Sequence, residues 1–275
     1  MNTGKEIRLT RIWKHPRAVI VPFDHGSYSG VVPGLEDPRT LTERIARTNA
    51  DAVLVTPGVL RNIIPALGGL GIILRIDGGF TSYATVPTDY LPMMDPDAAV
   101  AMGADAAIVF TFIGTPNESA SLQRLGQTAT AAERCGLPVV SEVLAPGFLH
   151  NHFGTDVFPK PSAGVNLSEE TKNVSRIAAE LGADIIKTRY TGNVEQFRSV
   201  VQSCGAPVIV AGGPGTNGTD EALLNLTHEC VQAGVAGIVF GRTVWQHPKM
   251  EKLINAICAI VHEDEVVQSA MKLLR

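Results

Sequence analysis

The sequence predicts an α/β fold, a closed (β/α)8 TIM barrel with extra N- and C-terminal helices, and three observations carry that reading. The first is a weak internal repeat. "NADAVLV" at 49–55, "GADAAIV" at 103–109, "GADIIKT" at 182–188 and "GVAGIVF" at 234–240 each run from a small helix-ending pair into a strand. The second is an interleaved set of apolar runs behind glycine, "GLGIILRI" at 69–76, "GLPVVSEV" at 136–143 and "GAPVIVAG" at 205–212; with "RAVIVPFDHG" at 17–26 they bring the strands to about eight. The third is helical periodicity in most of the gaps. An open doubly wound sheet is the competing architecture, but the first strand–helix turn has no G-x-G-x-x-G, and a paired two-strand repeat suits a barrel built from quarter units.

The elements follow in order. "GKEIRLTRIW" reads as an extra helix outside the barrel, and "DPRTLTERIARTN", "SASLQRLGQTATAAERCG", "SEETKNVSRIAAELG" and "TDEALLNLTHECVQAG" as helices between strands. Several open on Ser, Thr or Asp at the N-cap and close on Gly or Asn. "GLEDP" at 34–38 is a turn into a helix, and "HEDEVVQSAMKLLR" reads as a terminal amphipathic helix. The loops at 78–95 and 145–167 are long for a compact domain and read as lids or oligomer contacts. A barrel of this size is expected to be a single domain spanning 1–275.

Composition narrows the function. The chain is 45% hydrophobic with 27 glycines, which suits a parallel sheet buried on both faces. A net charge of −4 without a dense Lys/Arg tract argues against nucleic acid and anionic lipid as partners. Without an apolar run of roughly 18 residues or a signal-like start, the reading is a soluble, cytoplasmic protein with no membrane contact. Four widely spaced cysteines with no C-x-x-C pair argue against a disulfide framework or a structural zinc.

In a barrel the functional residues sit at the C-terminal ends of the strands. Reading each strand to its end gives Asp24 and His25, then Arg75 and Asp77, then Glu142, Lys187, Arg189 and Arg242. Lys187 is the sharpest, because an ammonium directly after Ile185 and Ile186 is rare inside a strand unless it is paired. A desolvated lysine is a nucleophile toward carbonyls and forms an iminium that acts as an electron sink. The same position also suits a lysine that salt-bridges Asp24 or Glu142 and closes the barrel. Glycines at the ends of the last two strands, Gly212, Gly213 and Gly241, with Arg242 beside them, match the usual phosphate site of such barrels. "HNH", with His150 and His152, reads as a solvated loop rather than a metal site, for want of a third ligand.

Together "FDHG" (23–26), "GLEDP" (34–38), "KTRYTG" (187–192), "AGGP" (211–214) and "GRTVWQHP" (241–248) resemble the archaeal-type class I fructose-bisphosphate aldolases. That group includes the amino-dideoxy-heptulosonate synthases and a phospho-autoinducer thiolase. The resemblance covers most of the chain, with the motifs in order. It implies a metal-independent, cofactor-free lyase, fructose-bisphosphate aldolase-like, that makes or breaks a C–C bond in a phosphorylated ketose or related keto compound. Lys187 would form the Schiff base, Asp24 would transfer protons with His25 and Glu142 beside it, and Gly212, Gly213, Gly241 and Arg242 would hold the substrate phosphate, with Arg75 and Tyr190 as further binding residues. It also implies a homo-oligomer, a decameric ring being one such form. One departure stands out: the aldolases carry a tyrosine where this chain reads "SEVLAPG" at 141–147, with Leu144 or Ala145 in its place. Glu142, His150, His152 and Tyr190 are the candidates to replace it. The loss leaves room for thiolase- or transaldolase-like transfer, or for a non-catalytic sugar-phosphate-binding barrel.

Overall fold

The computed structural model describes residues 2–84, 90–153, 166–212 and 218–275, except for the side chains of 151–153. Eight parallel strands close into a barrel in chain order: β1 (Ala18–Pro22), β2 (Ala52–Val55), β3 (Gly71–Arg75), β4 (Ala106–Thr111), β5 (Val139–Val143), β6 (Ile185–Arg189), β7 (Val208–Ala211) and β8 (Gly237–Val239). β8 pairs back onto β1 in the register Ala18↔Gly237 to Ile20↔Val239. Gly237 is required at this seam, since a Cβ there would lie 2.6 Å from the Ala18 carbonyl oxygen.

Strand alternation divides the core in two. Inward residues, among them Ile20, Leu54, Ile73, Ile108, Val140, Ile185 and Ile209, pack with Ile12 to fill the barrel, while Val19, Val53, Leu74, Val109, Ile186 and Val210 face the surrounding helices. The expected helices form at Pro38–Ile45, Glu118–Cys135, Leu167–Glu180 and Asp220–Gln232. Asp37 caps the first through the amides of Arg39 and Thr40, and Gly136 closes the second in the left-handed conformation.

The repeat has a structural purpose at the N-terminal end of the barrel. Asp51, Asp105 and Asp184, the third residue of each "NAD" or "GAD", accept an amide at the start of a neighbouring strand, from its first or second residue: Val19 at 2.7 Å, Ile72 at 2.9 Å and Val139 at 2.8 Å. Each also meets a cationic or imidazole partner, His262 Nε2 at 2.8 Å, Arg11 at 3.3 Å and Lys5 at 2.8 Å. Lys5 and Arg11 come from the N-terminal helix, Thr3–Ile12, which plugs this end with Ile12.

Two expectations are corrected. The segment after β5 opens as a helix, Pro146–Phe153, rather than a loop, with proline at its permissive first position. The C-terminal segment is not one helix: Met250–Glu263 ends at Asp264, which takes φ 57, and a short helix follows at Val267–Lys272. "HED" therefore belongs to the end of the long helix and its cap. No helix among the described residues is long and apolar enough to cross a membrane.

Candidate active site

The inward faces that begin as the apolar barrel filling end in charge. Two residues beyond Ile185 comes Lys187, two beyond Val140 comes Glu142, and two beyond Ile73 comes Arg75; the pleat points all three into the barrel mouth. They line a pocket of about 380 Å³ with Asp24, His25, Arg189, Gly212, Gly241 and Arg242. Thus of the residues singled out in the sequence, Lys187, Asp24, Glu142, His25, Arg75, Gly212, Gly241 and Arg242 meet around one cavity. Gly213 and the side chain of His152 lie outside the described residues. His150 sits on the helix after β5 and does not line the pocket.

Tyr190 is a correction. One residue past Arg189, it falls on the opposite pleat and turns away from the cavity, its ring edge-on to Phe197 at 5.2 Å between centroids. It packs against the outer core and is not a binding residue of this pocket.

Register across the strands selects the ionic partners. Glu142 is directly opposite Lys187 in the β5–β6 pairing, and Lys187 Nζ donates to Glu142 Oε1 at 2.7 Å. The other Glu142 oxygen accepts from Arg75, whose guanidinium also reaches Asp24 at 3.0 Å and Asp77 at 3.2 Å. Lys187 therefore pairs with Glu142, and Asp24 with Arg75. Lys187, Arg75, Asp24 and Asp77 are all buried. Burying such ions costs several kcal/mol each unless every charge is both paired and hydrogen-bonded, and this network does both.

The environments push the carboxyls apart. Burial raises Asp77 to about 6 against the opposing pull of Arg75 and the Phe110 amide. Burial also opposes ionisation of Glu142, but Lys187 and Arg75 outweigh it and hold the carboxyl at about 2. Burial works against the charge of Arg75 too, yet the carboxylates of Glu142, Asp24 and Asp77 raise it above its ordinary value. Burial lowers His25, and Lys187 and Arg242 add to that against Asp24. The imidazole is consequently neutral at pH 7, with Nδ1 3.6 Å from the Asp24 carboxylate.

Trp245 anchors the site from "GRTVW". Its indole donates to the Pro22 carbonyl at 3.0 Å at the end of β1, and its ring stands edge-on to His25. A Cβ at Gly241 would lie 3.1 Å from the Pro22 oxygen and 3.2 Å from the His25 ring, so glycine lets β8 close against this corner. Arg189 stacks its guanidinium 5.7 Å over Phe148; neither it nor Arg242 has a carboxylate partner among the described residues.

Several pocket residues were missed in the sequence, Tyr28, Phe80 and Tyr90 among them. Tyr28 follows "FDHG", and Phe80 and Tyr90 flank a two-stranded ribbon pairing Asp77 with Pro92 and Gly78 with Leu91. Burial and the carboxylates of Asp24 and Glu142 raise the Tyr28 phenol, so it stays protonated. The only sequence signal for Tyr28 was its nearness to a strand end, and for Phe80 and Tyr90 their place in a long loop beside one. Leu144 lines the pocket as well.

A barrel with a paired lysine in its mouth, two guanidiniums without a carboxylate partner among the described residues and glycine-ended strands defines a class: a (β/α)8 barrel with a charged, lysine-bearing pocket at its strand ends. The chain belongs to the DeoC/LacD family of aldolases, whose profile matches residues 18–247, and it is an aldolase-family enzyme. It is 31% identical over 282 residues to an uncharacterised aldolase of Saccharolobus solfataricus, with 99% of each chain covered. It is 32% identical over 270 residues to the 2-amino-3,7-dideoxy-D-threo-hept-6-ulosonate synthase of Halobacterium salinarum, covering 98% of this chain and 96% of that one. The solved structure of a Schiff-base-forming fructose-1,6-bisphosphate aldolase aligns with a TM-score of 0.79 at 26% identity, over 94% of this chain and 100% of that one. The likeness seen in five motifs is thus a family relation over nearly the whole chain.

Proposed function

We propose that this enzyme makes or breaks a C–C bond in a phosphorylated ketose or related keto compound through an iminium on Lys187, without a metal. The observation that supports it most is the Lys187–Glu142 pair at 2.7 Å in the buried mouth of the barrel. Lys187 gives up a proton and attacks the substrate carbonyl, and loss of water from the carbinolamine leaves the iminium. Glu142, ionised and in contact with Nζ, passes the protons these steps exchange. Asp24, oriented by Arg75, takes the proton of the substrate hydroxyl. The C–C bond electrons move into the iminium to give an enamine and a free aldehyde. Protonation of the enamine and hydrolysis restore the amine. Tyr28, held protonated in the pocket, takes the acid/base place that Leu144 leaves without a hydroxyl. The iminium is the electron sink, so full activity is expected after exhaustive chelation.

Gly241 and Arg242, joined by Arg189, receive the substrate phosphate beside Gly212, whose amide already donates to the Val239 carbonyl; the two guanidiniums reach this part of the pocket without a carboxylate partner among the described residues. The test is borohydride trapping with dihydroxyacetone phosphate followed by peptide mass mapping. A reduced adduct on Lys187 is expected. Bound ligand with no adduct on Lys187 would sink the iminium route.

Leu144 at the mouth also favours a second reading, acyl or ketol transfer on the same lysine-centred scaffold. Product formation that depends on an added thiol or a second carbonyl acceptor would select it over simple cleavage.

A further inference from the structure

The three aspartates at the N-terminal end of the barrel are placed alike but partnered differently. Asp184 and Asp105 meet fixed cations, Lys5 and Arg11, whereas Asp51 meets an imidazole, His262 Nε2 at 2.8 Å. A second imidazole lies over the first: the rings of His15 and His262 stack with centroids 4.0 Å apart and planes 18° from parallel. The three residues come together from distant parts of the chain. His15 lies on the bend before β1, Asp51 directly precedes β2, and His262 sits in the last turn of the helix Met250–Glu263.

Their ligating atoms all lie within 4.8 Å of one another. Two imidazoles and one carboxylate make a donor set for a borderline divalent ion such as Zn2+, which binds these atoms at about 2.0–2.2 Å and takes water as a fourth ligand. Tetrahedral ligands at that radius stand about 3.3 Å apart. His262 and Asp51 are already close enough, so His15 supplies the movement that closes the site. An imidazole lone pair lies in the plane of its ring, so His15 must turn out of the stack to aim a nitrogen at the ion; it is exposed and has room to do so. Asp51 meanwhile keeps the Val19 amide on Oδ2, a contact that fixes the carboxylate as outer partners fix metal ligands. The neighbouring cations leave that carboxylate alone: Lys14 donates to the Asp51 backbone carbonyl at 3.1 Å, and Arg17 to the Val261 carbonyl and to Asp264. With Asp51, Glu263 and Asp264 against Lys14 and Arg17, this corner keeps a net negative charge when both histidines are neutral.

We propose that His15, Asp51 and His262 form a binding site for a divalent transition-metal ion, at the end of the barrel opposite Lys187. The ion takes the place of the proton between His262 Nε2 and Asp51, and His262 carries its proton on Nδ1 instead. Bound there, it staples the bend before β1 and the C-terminal helix to the start of β2. None of the three residues lines the pocket, so the ion acts on stability and takes no part in the chemistry at Lys187.

The test uses the whole enzyme, dialysed against EDTA and titrated calorimetrically with ZnCl2, with Tm measured in parallel; neither readout depends on turnover. One Zn2+ per chain is expected with a low-micromolar Kd, and Tm should rise by about 5 °C at a hundredfold excess over Kd. His15→Ala, an exposed change that should leave the metal-free Tm in place, is expected to weaken binding at least tenfold and remove most of the Tm gain. His15→Cys, which supplies another zinc ligand, should restore both. With Co2+ in place of Zn2+, the wild type should show the intense visible absorption of a tetrahedral ion and His15→Ala should not. A wild-type Kd weaker than about 100 μM would overturn the proposal, as would a Kd and Tm gain unchanged in His15→Ala, which would put the ion elsewhere.

Discussion

The two ends of the barrel use the same residue types to opposite effect. At the N-terminal end Asp51, Asp105 and Asp184 each accept a strand amide and meet a single basic side chain or a compact group of them, so little acceptor capacity is left over. At the C-terminal end Arg75 serves three carboxylates, Glu142 serves two cations, and Arg189 and Arg242 face the cavity without a carboxylate among the described residues. The lesson is that charge at a strand end is not by itself a functional signal. Saturated charge ties strands together, whereas shared or unspent charge beside a cavity is available to a ligand.

The largest expected effect comes from breaking the shared charge. Glu142→Gln leaves Lys187 facing a neutral amide, and steady-state turnover should fall on the order of 10²–10³-fold. The same change should cost about 3 kcal/mol in urea unfolding, because a buried partner is removed. If turnover stayed within threefold of wild type, Glu142 would be no more than a structural mate for the lysine.

Next is the saturated end. Asp184→Ala strips the Val139 amide of its acceptor and Lys5 of its buried partner, leaving Lys5 with the more exposed Glu133. A loss of about 2 kcal/mol is expected with kcat unchanged. A lowered kcat at full occupancy would erase the contrast between the ends.

A smaller effect reads the network by pH. Asp77, raised to about 6, should impose an acid limb on kcat/KM with that midpoint, as protonation releases its hold on Arg75. Asp77→Asn should lower activity and abolish that limb. The stability signs oppose each other. Between its ordinary 3.8 and about 6 the folded state keeps the Asp77 proton that the unfolded chain has lost, so this group's contribution declines as pH rises through that window. Glu142 stabilises above its ordinary 4.5, and its contribution is lost as pH falls from there toward 2. Urea midpoints of wild type and Asp77→Asn across pH 4 to 7 should converge on the acid side, about pH 4.

The smallest effect is expected at Arg11, whose side chain is 65% exposed where it meets Asp105. Arg11→Ala should stay within about 0.5 kcal/mol of wild type, since an exposed arm gains little from a pair in high dielectric. A larger loss would mean that the N-terminal plug depends on this contact.

Much of the site was legible because barrel strands carry their function at a known place. Reading inward positions to the strand ends reached Asp24, Arg75, Glu142 and Lys187 directly, and the glycine endings marked Gly212 and Gly241. Tyr190 was misjudged by one residue, since one step along a pleat reverses the face. Tyr28, Phe80 and Tyr90 escaped because they sit on connections, where no periodicity tells which way a ring will turn.

The sequence by itself determined the barrel, its strand order and the charged ring at its mouth, because period-two alternation and glycine-ended strands are local properties of the chain. Only the tertiary structure decided that Lys187 pairs with Glu142 while Asp24 pairs with Arg75, and that Tyr28, Phe80 and Tyr90 reach the pocket. Those choices depend on the register between strands and on loop folding, which bring together residues 45 and 51 positions apart.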